Sequence, residues 1–271
     1  MIFALQLMDS NEVVEPPVRR RLRTRNQLTY AGVWRPTNTE ETFFRVHVLA
    51  SLRKGARAAR QIAVPAMIVQ AMILTLVLGY FYYPPAKEFF AKLVAFKAYV
   101  GPAFAFLSMG VIAVFVECLR RYFGKEKPVD SFWKSAGYGI VVLGFLGVMT
   151  DCFYIFQKWM WSGLSPTAQV PAKVFTDQFI YTVLLSNPYQ TFLYVLKDCG
   201  FKPRAFVARV TPFKVFYVRE VLAVLITNWA FWVPTGAILY TLPIDLQFVI
   251  SRFAITIWVL LLMVMTRREK S

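Results

Sequence analysis

The stretch Ile62–Tyr83, IAVPAMIVQAMILTLVLGYFYY, decides the fold. It runs 22 residues without a charge, and at about 1.5 Å of rise per residue such a helix spans the roughly 30 Å of hydrocarbon in a bilayer. Tyr80, Phe81, Tyr82 and Tyr83 close it as an interfacial aromatic belt, and Pro84-Pro85 stops the helix. Five further apolar segments follow. They are Ala98–Val116, Ser135–Gln157 interrupted by Asp151, Val174–Leu196 with Asp177 near its start, Val221–Ile244, and Leu246–Thr266 carrying Arg252. The pattern predicts an all-α, polytopic membrane helix bundle of about six transmembrane helices with its N-terminus inside. Five spans, or a re-entrant segment, is the competing count. Only Pro243, Ile244 and Asp245 separate the last two segments, which predicts a tight helical hairpin.

Composition agrees with that reading. The 271 residues are 57% hydrophobic and 17% aromatic, with a mean hydropathy of +0.48, which excludes an ordinary soluble domain. The net charge of +16 comes from 31 basic against 15 acidic residues. With six spans and an inside N-terminus, 25 of the 31 basic residues fall on the inner side. The others are Lys87, Lys92, Lys97, Lys158, Lys173 and the intramembrane Arg252. This asymmetry is what the positive-inside rule expects, so the charge needs no nucleic acid to explain it.

Residues 1–61 read as a basic N-terminal extension, with the run Arg19, Arg20, Arg21, Arg23, Arg25 after Pro16-Pro17. The apolar start Met1–Met8 lacks a basic lead, and Asp9, Glu12 and Glu15 speak against a mitochondrial presequence. From Glu40 to Arg60, Phe43, Phe44, Val46, Val48, Leu49 and Leu52 interleave with Arg45, Arg53, Lys54, Arg57 and Arg60. That is either an amphipathic helix on anionic lipid headgroups or a solvated segment leading into the first span. Residues 62–89 then form one transmembrane helix placed before a helix bundle over 90–271.

Little material for catalysis is present. His47 is the only histidine, and Cys118, Cys152 and Cys199 are far apart with no CxxC, so neither a metal site nor a disulfide framework is indicated. The glycines of the third span sit within an apolar segment rather than after a strand, so they make no phosphate loop. The expectation is no enzyme, no cofactor and no metal.

What remains is polar chemistry inside the spans. Asp151 and Arg252 each lie six residues from the outer end of their segment, at about the same depth of 9 Å, and Asp177 sits just above. An ionised side chain in hydrocarbon costs at least about 2.5 kcal/mol, so such groups face the bundle and find partners. Asp151, Asp177 and Arg252 are therefore predicted to cluster in the outer half of the bundle, either as a structural ion pair or as a pore or solute vestibule. Gly137, Gly139, Gly144 and Gly147 let a neighbouring helix approach the third span. Pro102 and Pro188 are predicted to kink their helices and free carbonyls. Trp229, Phe231 and Trp232 read as packed aromatics, and Thr227 and Asn228 as links between helices.

The C-terminal third carries Asn228-Trp229-Ala230-Phe231-Trp232-Val233-Pro234, then Tyr240, Leu242-Pro243, Gln247 and Ile257-Trp258. Upstream stand Gly147, Phe153-Tyr154, Lys173 and Asp177-Gln178. Over roughly residues 90–266 this series resembles the Mpv-seventeen, or twenty-two kilodalton peroxisomal membrane protein, family of peroxisomal and mitochondrial inner membranes. The chain departs from the family pattern at Gly236 and Leu239, where the family has Gln and Asn, at Gln247 in place of Arg, and at Val148 in place of Pro. The resemblance implies a small-solute channel or membrane-permeability regulator in a bacterial or mitochondrial inner membrane, with the peroxisomal membrane a weaker placement. The alternative is a non-conducting scaffold that organises partners or lipids, which the apolar replacements favour. Self-association stays open.

Overall fold

The computed structural model describes residues 39–123 and 130–268. The arginine run of residues 19–25 and the basic residues Lys125 and Lys127 lie outside the described residues, as do the side chains of His47 and Trp258. Helices occupy almost all of the rest: α1 (Thr39–Tyr82), α2 (Pro84–Val100), α3 (Pro102–Phe123) and α4 (Phe132–Met160), then a long helix made of α5 (Pro166–Phe175), a π-helical segment (Thr176–Ser186) and α6 (Asn187–Asp198). After α7 (Pro203–Val210) come α8 (Phe213–Phe216), a second π-helical segment (Tyr217–Leu222), α9 (Ala223–Leu239) and α10 (Ile244–Arg268). Among the described residues three helices are long and apolar enough to cross a membrane, Val48–Tyr82, Pro102–Tyr122 and Phe132–Met160. The pair Phe213–Leu222 and Val224–Leu239, bent by 46°, makes a fourth if taken as one span.

The basic segment and the first apolar span form one uninterrupted helix of 44 residues. Its buried stripe, Ser51, Gly55, Ile62, Ala66, Val69, Ile73 and Val77, repeats at three-, four- and seven-residue intervals, one face of a 3.6-residue helix. The stripe passes through the Glu40–Arg60 region, so Ser51 and Gly55 pack inward while Arg53, Lys54, Arg57 and Arg60 stay exposed. That region is not a separate helix but runs directly into the first span. Nor is the first span peripheral: Ile62, Val69 and Ile73 share a core with Phe231 and Leu239 of α9 and with Leu246, Val249, Ile250 and Ala254 of α10. Because α9 and α10 pack mainly on α1 and little on one another, the expected tight hairpin is splayed.

Residues 84–100, expected as a loop with the next span starting at Ala98, instead fold as α2. Pro84 stands in its first turn, where the missing N–H is harmless, and Gly101 ends it at φ 65°, where a Cβ would be disfavoured. The following helix starts at Pro102, so that proline begins a helix and kinks nothing. From there α3 runs antiparallel to α4 at close range. A Cβ placed on Gly144 would lie 2.6 Å from the Phe106 ring, and one on Gly147 2.7 Å from Met109 Cγ and against the Ala105 carbonyl. At Gly147, where backbone stands in the way, only glycine permits that approach, and Gly144 is closely packed too; Gly137, expected to share this role, has nothing within 4 Å, and Gly139 makes only ordinary contact with Ala113.

The outward surface is apolar. Leu107, Val111, Val141, Phe145, Ile155, Leu184 and Leu185 are all exposed, a distribution that suits hydrocarbon and would be an aggregation liability in water. Exposed aromatic side chains stand near helix ends, among them Tyr82, Tyr99, Tyr122, Trp133 and Trp159.

Candidate functional site

Beside its glycine stripe α4 looks onto the long helix Pro166–Asp198, and the two are joined differently. Gln157 Nε2 donates to the Lys173 carbonyl at 2.8 Å, and the Thr150 and Tyr181 hydroxyls lie 3.0 Å apart. Further along, Tyr189 donates to the Val142 carbonyl at 3.1 Å, Tyr138 to that of Leu193 at 2.6 Å, and Lys197 Nζ to Ser135 Oγ at 2.8 Å. These links hold one antiparallel register along the whole seam. Each is made by a side chain reaching across, because the two backbones come close at few points.

The π-helical segment also leaves one carbonyl to be met from outside its own helix. In i→i+5 bonding the N–H of residue 188 would serve the carbonyl of residue 183, but Pro188 has none. Tyr217 supplies the missing donor, its hydroxyl 2.8 Å from the Val183 carbonyl. Pro188 therefore frees a carbonyl for a neighbouring helix, as expected.

Between the helices lies a cavity of about 140 Å³. From the long helix Asp177, Gln178, Thr182, Ser186, Gln190 and Tyr194 face it; α4 gives Thr150 and Tyr154; α9 gives Asn228 and Trp232; α10 gives Ser251 and Arg252. Met109, Ile112 and Val116 of α3 form an aliphatic side. Toward the α3–α4 connection a smaller void of about 20 Å³ shares Val116, Leu143 and Tyr194 with it and reaches Glu117 and Lys197. Glu117 is held there by Arg120 and Arg121 at 2.6 and 2.7 Å.

Asp177 is buried, and its Oδ2 accepts from the Tyr240 hydroxyl at 2.9 Å and from Gln178 Nε2 at 3.0 Å. Gln178 is fixed in turn: its Oε1 accepts from Asn228 Nδ2 at 3.2 Å and its carbonyl from Trp229 Nε1 at 2.8 Å. Arg252 stacks over the Phe248 ring at 3.9 Å, and its Nε and Nη2 find no acceptor. Asp151 pairs with Lys97 at 2.8 Å, and the same lysine approaches Phe248 from 4.7 Å.

The expected triad is thus only partly assembled. Asp177 and Arg252 share the cavity, whereas Asp151 is taken by Lys97 and makes no ion pair with Arg252. The reason is α2. A residue assigned to an outer loop stands instead in the last turn of a helix, with its carbonyl bonded to the Gly101 N–H, and its side chain reaches α4. The Gly101-Pro102 dipeptide was the available signal for that helix end. The rest of the polar wall of the long helix was missed, although Thr182, Ser186, Gln190 and Tyr194 continue from Gln178 at every fourth residue of an apolar segment.

The motif positions converge on Asp177-Gln178. Asn228, Trp229 and Tyr240 bond to that pair, Trp232 and Tyr154 line the cavity, and Phe153 stacks on Tyr181 with centroids 4.2 Å apart. Pro234 lies inside α9, Pro243 accepts from the first N–H groups of α10, and Gln247 caps the Leu242 carbonyl at 2.7 Å. Thr227 reaches the Gly55 carbonyl of α1 at 3.5 Å, a link between helices. No family model, no curated protein and no solved structure matches the chain.

Proposed function

We propose that this chain is an integral membrane protein of six spans with its N-terminus inside, acting as a small-solute channel or membrane-permeability regulator. Beyond the helices already long enough to cross, the spans are completed by Thr176–Asp198 and by α10. The cavity carries the reading. A bundle whose outer surface is solvated by hydrocarbon gains nothing from polar groups inside unless they pair or meet water, because each unpaired one is costly there. Here hydroxyls, amides, a carboxylate and a guanidinium converge on one space. Its volume is close to that of an engineered cavity of about 150 Å³ that accepts benzene, so it suits a solute of roughly six heavy atoms or a few waters.

The resemblance to the Mpv-seventeen family is supported by the way separate motif segments meet at Asp177 and Gln178. The departures at Gly236 and Leu239 fall outside the cavity wall, and Leu239 packs in the core with α1. They therefore remove nothing from the polar space. On this reading the protein belongs in a bacterial or mitochondrial inner membrane, with the basic segment of α1 beside anionic headgroups. The second reading, a non-conducting scaffold, is favoured by the exposed rings of Tyr82, Tyr99, Tyr122, Trp133 and Trp159.

Planar-bilayer recording of the purified protein separates the two. A channel gives discrete current steps that Ser186→Trp, which fills the cavity, abolishes without lowering the melting temperature. A scaffold gives no steps at any salt or voltage.

A further inference from the structure

Two opposite charges face the same small space and do not touch. Asp177 and Arg252 both line the cavity, and no ion pair joins them. Each is held in place by its own neighbours: Asp177 through Oδ2 by Tyr240 and Gln178, Arg252 by the face of Phe248. What is left over is complementary. Among the described residues no donor reaches Asp177 Oδ1, and the Nε and Nη2 of Arg252 are buried without an acceptor. Unmet hydrogen-bonding capacity on a buried guanidinium is costly, and native proteins seldom leave it unused.

A ligand bearing one charge answers half of this arrangement. A small anion would satisfy Arg252 but bring an uncompensated charge beside Asp177, and a small cation would do the reverse; in a low-dielectric space both are penalised. A solute carrying both charges meets both groups and adds no net charge. We propose that the cavity is a binding site for a small zwitterion of amino-acid type, its carboxylate on Arg252 and its ammonium on Asp177. This rests on reading the cavity as the solute site and names what that solute is. The volume of about 140 Å³ limits it to roughly six or seven heavy atoms. The hydroxyl and amide groups of Thr150, Ser251 and Asn228 remain for its polar edges.

The test uses the full-length protein in nanodiscs, titrated by calorimetry with glycine, β-alanine and 4-aminobutyrate, and with acetate and ethylammonium as single-charge controls. At least one zwitterion is expected to bind at least about tenfold more tightly than either control, reflecting the second charge-assisted contact. Arg252→Gln and Asp177→Asn should each remove that advantage, and Arg252→Gln should do so without lowering the melting temperature, since no protein acceptor depends on its Nε or Nη2. Acetate binding as tightly as every zwitterion, or zwitterion binding unchanged in folded Asp177→Asn, overturns the proposal. Flux into liposomes separates this from the broader reading. Equal passage of acetate, ethylammonium and glycine by a conducting protein sinks the zwitterion site and leaves the channel standing, whereas no passage and no binding of any of them sinks both.

Discussion

The two faces of α4 solve the same packing problem in opposite ways. Toward α3 the helix presents Gly144 and Gly147, and the backbones close until side chains cannot be added. Toward the helix Pro166–Asp198 it presents Ser135, Tyr138, Thr150 and Gln157, and the backbones stand apart with polar side chains bridging them. In hydrocarbon there is no water to expel between helices, so association depends on close packing or on hydrogen bonds. The glycine face uses the first and leaves no space. The polar face uses the second, and the gap it keeps open is the cavity.

The difference can be broken from either side. Lys97→Met should have the largest effect, about 3 kcal/mol, because it strands Asp151 in a mostly buried position; the double change with Asp151→Leu should recover most of it. Thermal unfolding in a fixed detergent reads both, and a double variant no better than the single would refute the pairing. Gly147→Leu follows at about 2–3 kcal/mol through overpacking against Met109 and the Ala105 carbonyl, while Gly137→Leu, with nothing within 4 Å, should cost far less. Similar losses at the two glycines would mean that helix propensity and not close approach explains them.

Tyr240→Phe should cost about 1.5–2 kcal/mol, a hydrogen bond to a charged group, and a drop in melting temperature no larger than that of a distant Tyr→Phe control would contradict it. Tyr217→Phe, which withdraws a neutral donor from the Val183 carbonyl, should cost about 1 kcal/mol and speed amide exchange near Asn187. The smallest effect is expected outside the bundle. Lys134 donates to Asp130 at 2.8 Å and holds that carboxyl below the ordinary aspartate value. Such a lowered value gives stability that is present above the ordinary aspartate range and lost as pH falls through the lowered one. Since the pair is exposed, Lys134→Gln should leave the melting curve nearly unchanged at neutral pH and slightly flatten its acid dependence.

How much of this was legible depends on the range of the forces involved. The apolar helices were readable because their signal is local: Ile62–Tyr83 and Ser135–Gln157 announce themselves by length and lack of charge. The glycine face was readable too, since small residues in an apolar helix have few other uses. Lys97 was not, because its partner lies on another helix and the helix presenting it was masked by four charged residues. The expected pairing of Asp151 with Arg252 used depth alone, and depth does not reveal that a closer cation, Lys97, reaches the same carboxylate.

By itself the sequence determined that the described chain folds as long apolar helices with charge kept near their ends, because burial of apolar surface and backbone hydrogen bonding depend on what is adjacent along the chain. Only the tertiary structure decided that α1 lies in the core between α9 and α10, that Asp151 belongs to Lys97, and that Asp177 and Arg252 face one space unpaired. Those outcomes hang on the rotation of each helix about its own axis, which is set by the joint packing of all its neighbours.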